Sequence, residues 1–233
     1  QNNLEYLRTL FNLGCRYMSL THTCSLDWAE SERNPNPNID GLSDFGVEVI
    51  YQMNSLGMLV DLSHTSERTM NRVLDVTLAP VIFSHSNAKT LCNHTRNVPD
   101  SILLKLKENG GIIMVNFYPV LLNNAAAQMR IQTNITEFQQ WLDTSSEAPT
   151  MTTVIDHIDY IKDLIGVKHI GIGSDYDGVG GLHIKDLEDV SKYTDLIDQM
   201  IQRGYDERDL ALIMGQNILR VMEQVRSVSE KIN

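Results

Sequence analysis

Two imidazoles and a carboxylate occupy matching places in this chain. His64 ends the short apolar run 58–63, His85 ends the run 80–84, and Asp175 ends the run 168–174. A neutral imidazole is a good nitrogen donor for zinc, and a strand-end carboxylate can bind metal or shuttle a proton from metal-activated water. Buried strands that finish in such residues deliver chemistry to the catalytic face of an α/β barrel. A single histidine on an apolar strand is more often a satisfied core residue. Two at the same point of successive units are less easily dismissed, and at the level of pattern the structural and metal-ligating readings stand even.

Other groups divide between chemistry and structure. Arg96 follows His85 by eleven residues in a polar loop, where a solvated guanidinium is the ordinary outcome. Beside a metal, its two parallel donors would suit a substrate carboxylate. Asp175-Tyr176-Asp177-Gly178 looks like the start of a calcium loop, but Val179-Gly180-Gly181 supplies none of the further oxygen ligands. Ser63 and Ser84 precede the two histidines, and strand alternation turns them to the opposite face. His94, His157, His169 and His183 read as structural or solvent-facing, with His157 at the core edge of a helix. The chain has no evident Ser-His-Asp or Cys-His arrangement. Cys15, Cys24 and Cys92 lack metal-site spacing and read as small buried thiols. Asn93-His94-Thr95 and Asn134-Ile135-Thr136 are sequons that hint at a secretory route.

The elements that must position these residues follow from periodicity. Strands are expected at 16–21, 58–63, 80–84, 111–117 and 168–174, each preceded by or alternating with a helix, as in parallel βα units. Their C-terminal ends carry His22, His64, His85, Asn116 and Asp175. Ser43 should cap a helix that Gly57 stops, and further helices should run from Asp100 to Gly110 and up to Gly166. After Asp175 two helices are expected, at 195–203 and 206–223. Residues 119–149 read as a long polar connection, a lid or insertion beside the site.

The 233 residues, 42% of them hydrophobic, are enough for one α/β domain with a substantial core. A formal net charge of -11 argues against nucleic acid and anionic membrane surfaces as partners. No stretch reaches the roughly 18 uninterrupted apolar residues of a membrane span.

At the chemistry-bearing positions the chain resembles the renal-type (membrane) dipeptidases, zinc-dependent enzymes of the amidohydrolase-like barrel class. The resemblance runs through Leu20-Thr21-His22-Thr23-Cys24, Gly41-Leu42-Ser43-Asp44-Phe45-Gly46, Val60-Asp61-Leu62-Ser63-His64 and Pro80-Val81-Ile82-Phe83-Ser84-His85-Ser86. It continues in Arg96-Asn97-Val98-Pro99-Asp100, Met114-Val115-Asn116-Phe117-Tyr118, Gly171-Ile172-Gly173-Ser174-Asp175-Tyr176-Asp177-Gly178 and Gly215-Gln216-Asn217-Ile218-Leu219-Arg220-Val221. It implies a (β/α)8 TIM-type barrel forming a single domain over 1–233, with its first strands lying upstream of Gln1. It implies that His64 and His85 ligate one zinc of a binuclear pair, and that His22, Arg96 and Asp175 surround a dipeptide. Asp175 would accept a proton from the attacking water and return it to the leaving amine, Arg96 would hold the C-terminal carboxylate, and His22 would polarise the carbonyl.

The family's His-x-Asp pair and bridging glutamate belong upstream of the segment matching 3–13. The chain by itself is therefore expected to turn over little dipeptide, and a catalytically inactive homologue acting as a binding or scaffold protein is the alternative. Cys24 and Cys92 match family half-cystines whose mates are not among these residues. Family members in animals are extracellular or held at the cell surface by a lipid anchor, are glycoproteins, and are often homodimers.

Overall fold

The computed structural model describes residues 2–233, and over them five short strands alternate with helices. In chain order these are α1 (Leu4–Asn12), β1 (Tyr17–Ser19), α2 (Asp44–Leu56), β2 (Leu59–Asp61), α3 (Glu67–Val76), β3 (Ile82–Phe83), α4 (Asp100–Asn109) and β4 (Ile112–Val115). There follow α5 (Asn124–Gln132), α6 (Ile135–Thr144), α7 (Met151–Ile165), β5 (Ile170–Ile172), α8 (Tyr193–Gln202), α9 (Glu207–Ala211) and α10 (Asn217–Ile232). This is the α/β class expected, built from parallel βα units. All five expected strands form, and each is shorter than its apolar run.

The chain divides into two compact units. One comprises residues up to 84 with 101–112 and 217–233; the other comprises 85–100 and 113–216.

In the first unit β1 and β2 pair in parallel with Ser19 opposite Asp61, and β2 pairs in parallel with β3. Ser43 caps α2 through the Gly46 amide, and Gly57, at φ 77°, ends it in the left-handed region where a side chain is disfavoured. Val49, Ile50 and Met53 of α2, Met70 and Val73 of α3, and Val221 and Val225 of α10 are buried. Each such side chain contributes roughly 1.5–3 kcal/mol relative to exposure. The α10 end is tied to α2 by Ser229 Oγ and Asn233 Nδ2, which donate to the Ser55 carbonyl at 2.6 and 2.8 Å.

In the second unit β4 and β5 pair in parallel, Met114 opposite Gly171. Val154, Ile155, Ile158, Ile161 and Ile165 form the buried face of α7. Residues 119–149 are not the aperiodic connection expected from the sequence. A 3-10 turn at Pro119–Leu121 leads into α5 and α6, capped by Asn123 and Asn134. Val120, Ala126, Phe138 and Leu142 pack with Val179 and Leu182 into a separate small core. The segment reads as polar because α5 buries only Ala126, so its helical period leaves almost no apolar signature.

Two further differences concern helices. The helix expected at 206–223 is interrupted: α9 gives way to a π-helical stretch over Leu212–Gln216, non-helical at Gly215, before α10 begins. Residues 4–12, where no helix is expected, form α1 behind an Asn3 cap. Among the described residues no helix is long and apolar enough to cross a membrane.

Candidate active site

Register places the first pair of candidate residues together. Ser19 and Asp61 are partners across β1 and β2, and His22 and His64 each follow by three residues. Their rings meet, with centroids 4.2 Å apart and planes tilted by 33°. His64 is half-buried and sits at φ 69°, a left-handed conformation uncommon in a residue with a side chain. Its turn is held through backbone groups. The His64 carbonyl accepts from Thr21 Oγ1 at 3.0 Å and from the Glu32 amide at 3.1 Å, and the Ser66 amide donates to the Glu30 carbonyl at 2.9 Å. Glu30 is itself anchored, its carboxylate paired with Arg68 and accepting from Ser66 Oγ. His22 is exposed, with its Nδ1 3.0 Å from Thr23 Oγ1.

Behind this turn lies Asp61, a carboxylate with no solvent exposure. It accepts four bonds: from the Ser63 amide at 3.0 Å, the Ser84 amide at 2.9 Å, Ser84 Oγ at 2.6 Å and Ser19 Oγ at 2.5 Å. Ser63 and Ser84 immediately precede His64 and His85, so one buried charge fixes the peptide that leads into each imidazole. Full hydrogen bonding is what makes such a burial tolerable. The sequence carries a signal for it, since a carboxylate inside Val60-Asp61-Leu62 has no place in an apolar strand unless it is paired.

In the second unit the Arg96 guanidinium is buried rather than solvated, with Nη2 donating to the His85 carbonyl at 3.1 Å and Nη1 to Ser86 Oγ at 3.3 Å. Asp175 follows β5 at φ 64°, the second left-handed residue among the candidates. Its Oδ2 accepts from Asn116 Nδ2 at 3.1 Å. Asn116 is in turn gripped by buried Asn87, so that side chains and backbone link the loop after His85 to the Asp175 turn.

The structural histidines separate from these. His157 is fully buried, accepts from the Ala88 amide at Nδ1 (3.2 Å) and donates from Nε2 to the Leu122 carbonyl at 2.9 Å. Burial pushes its pKa down, against an opposing pull from the Leu122 bond, which keeps it neutral with the proton on Nε2. His94 Nδ1 accepts from the Arg96 amide, and His183 lies against Gln139. Only Cys92 meets the expectation of a buried thiol, pushed up to about 11 by burial. Cys15 and Cys24 are exposed, and all three are free thiols among the described residues.

Among the described residues no three His, Cys, Asp or Glu side chains are grouped as a metal-binding cluster. A neutral imidazole is by its chemistry a suitable zinc donor, and His64 and His85 each follow a serine whose amide donates to Asp61.

Comparison with known proteins gives one consistent result. Residues 1–233 match the family described as membrane dipeptidase, peptidase family M19. Dipeptidase aclJ of Aspergillus oryzae is 44% identical over 97% of this chain and 49% of its own length. Dipeptidase 3 of Mus musculus is 43% identical over 98% of this chain and 43% of its own length. The chain thus spans about half the length of the curated relatives it matches. Among solved structures, the probable dipeptidase PvdM from Pseudomonas aeruginosa superposes with a TM-score of 0.85 at 24% identity, covering 97% of this chain and 66% of that one. A metallo peptidase from Rhodobacter sphaeroides, liganded with a phosphinate mimic of the dipeptide L-Ala-D-Ala, gives 0.79 at 24% identity over 96% and 60%. These likenesses establish a shared fold.

Proposed function

Because the chain belongs to the membrane dipeptidase family, peptidase family M19, we propose that it carries a substantial part of the active site of a zinc-dependent hydrolase of dipeptides. The observation that supports this reading most is the placement of His64 and Asp175, two strand-end residues that hold left-handed backbone conformations without being glycine. Such conformations cost of order 1–3 kcal/mol and persist where the surroundings over-determine them, commonly at functional sites.

In this reading His64 and His85 would each hold zinc through an imidazole nitrogen, while Asp61 keeps the peptides before them in register. The metal, when bound, supplies the Lewis acidity that makes water a nucleophile near neutral pH. Asp175 takes the proton released by the attacking water and passes it to the leaving amine. Arg96, held by the His85 carbonyl and Ser86, directs its guanidinium donors to the C-terminal carboxylate of the dipeptide. His22, at ring contact with His64, donates to the carbonyl oxygen as negative charge develops there. We further place the protein outside the cell or at its surface, in keeping with the family's description and with the exposure of the sequon residues Asn93 and Asn134.

The test is hydrolysis of a glycyl dipeptide by the complete natural protein, before and after stripping with a chelator. Activity should disappear on stripping and return with added zinc. Hydrolysis indifferent to the chelator would overturn the metal mechanism, and absence of hydrolysis in the zinc-loaded protein would overturn the dipeptidase reading.

A further inference from the structure

Asn116 is completely buried just beyond β4, and each polar atom of its side chain has a distinct partner. Its Oδ1 accepts the Tyr118 amide, which settles the orientation of the side-chain amide and turns Nδ2 toward Asp175 Oδ2 at 3.1 Å. Its backbone is clamped on both sides by Asn87: the Asn116 amide donates to Asn87 Oδ1 at 2.9 Å, and Asn87 Nδ2 donates to the Asn116 carbonyl at 3.0 Å. The donor facing Asp175 is therefore held by a buried network, not by a mobile side chain.

The other carboxylate oxygen faces Gly178. The Gly178 amide donates to the Asp175 carbonyl at 3.0 Å, and a Cβ on Gly178 would stand only 2.0 Å from Asp175 Oδ1. Gly178 bears no side chain, so Oδ1 has room where a Cβ would stand, and Asp175 itself is partly exposed. The two carboxylate oxygens are thus unequal: one accepts from a fixed amide, the other is bounded by a residue that must lack a Cβ.

We propose that Asn116 is a positioning residue for Asp175, engaging Oδ2 so that Oδ1 is the atom that receives the proton of the attacking water and releases it to the leaving amine, with Gly178 leaving the room that oxygen occupies. This rests on the reading of Asp175 as the proton acceptor. The transfer is balanced: the O–H bond of water breaks as a proton bonds Oδ1, and that proton later leaves Oδ1 for the amine nitrogen, restoring the carboxylate.

Three variants of the complete natural protein test it, each read by kcat, KM, pH profile, zinc content and melting temperature. Asn116→Asp retains an oxygen to accept the Tyr118 amide but replaces the donor to Asp175 with a second carboxylate. Its kcat should fall about 10- to 100-fold with zinc content unchanged. The acid limb of its kcat/KM profile should move to higher pH, because two facing carboxylates resist ionising together. Gly178→Ala, at an exposed site where the clash is with the end of a side chain rather than with backbone, should lower kcat similarly by displacing the carboxylate from the other side. Asp175→Asn fixes the reference. If Asp175→Asn abolishes turnover while Asn116→Asp and Gly178→Ala keep wild-type kcat and pH profile, the positioning role is overturned and the acceptor role stands. If Asp175→Asn turns over normally, both are overturned. If Asn116→Asp does not fold, a wild-type kcat in Gly178→Ala alone overturns the proposal.

Discussion

The His64 turn and the Asp175 turn share a backbone conformation and differ in what holds them. Both place a non-glycine residue at positive φ three residues beyond the end of a parallel strand. At His64 the restraint acts on the main chain: its carbonyl accepts two bonds, and the preceding peptide is tied to Asp61. At Asp175 the carbonyl likewise accepts a bond, from the Gly178 amide, and the side chain is fixed in addition, through Asn116 on one oxygen and the glycine seat on the other. A metal ligand needs a ring fixed in place with its nitrogen directed outward, which backbone restraint provides. A proton acceptor needs one carboxylate oxygen committed and the other accessible, which only side-chain contacts can arrange. The difference in scaffolding thus parallels the difference in proposed role.

Removing the carboxylate behind the His64 turn should produce the largest change in stability. Asp61→Ala leaves four donors, one buried and three part-buried, without their acceptor and should cost about 3 kcal/mol, read from denaturant midpoints. Zinc affinity should fall about 10- to 100-fold, as when the partners that orient a ligand are lost. Asp61→Asn keeps an oxygen for the two amides and can donate to the serine hydroxyls, so it should recover at least half of the lost stability. An Asp61→Ala protein as stable as wild type would show that the carboxylate does not hold the turn.

Arg96→Lys sharpens the other side. A point-charge ammonium cannot reproduce two parallel guanidinium bonds, so the ratio of kcat/KM for a free dipeptide to that for its C-terminal amide should shrink about tenfold. A general loss of folded protein would lower both substrates alike, and an unchanged ratio would remove Arg96 from carboxylate recognition.

A pH effect should follow from His157, which holds the loop after His85 through the Ala88 amide. Burial depresses its folded pKa below the unfolded value near 6.5, so the unfolded chain binds more protons and stability drops as pH falls below about 6.5. The slope contributed by this one group is at most about 1.4 kcal/mol per pH unit. Comparing urea midpoints at pH 7.5 and pH 5.5, His157→Gln should show a smaller difference than wild type; an equal difference would assign the acid sensitivity elsewhere.

The smallest expected effect is a control away from both turns. Ser43→Ala removes the α2 cap and should cost about 1 kcal/mol of stability while leaving kcat and zinc content unchanged.

Much of this arrangement is legible in the sequence because apolar runs ending in polar residues are a strong signal. All five strands, the Ser43 to Gly57 helix and the α7 stop at Gly166 can be read from period and capping. What is not legible has physical causes. Helix α5 carries almost no apolar stripe, so residues 119–149 look aperiodic although they fold around Phe138 and Leu142. The interruption at Gly215 falls where periodicity continues on both sides. At the site, histidines and a strand-end aspartate announce themselves by type. Asn116, Asn87 and Gly178 act through geometry, and the burial of Arg96 in an outwardly polar loop depends on Ser86 and the His85 carbonyl, groups that no spacing rule connects to it.

Whether the His64 turn holds metal while the Asp175 turn moves a proton can be read from zinc content and affinity by chelator competition, alongside kcat, for His64→Ala and Asp175→Asn in the complete natural protein. His64→Ala should weaken zinc binding by at least about 100-fold, and Asp175→Asn should keep its zinc while kcat falls roughly 100- to 10,000-fold. Equal loss of zinc in both folded variants, or full zinc binding in His64→Ala, would rule out this division of roles.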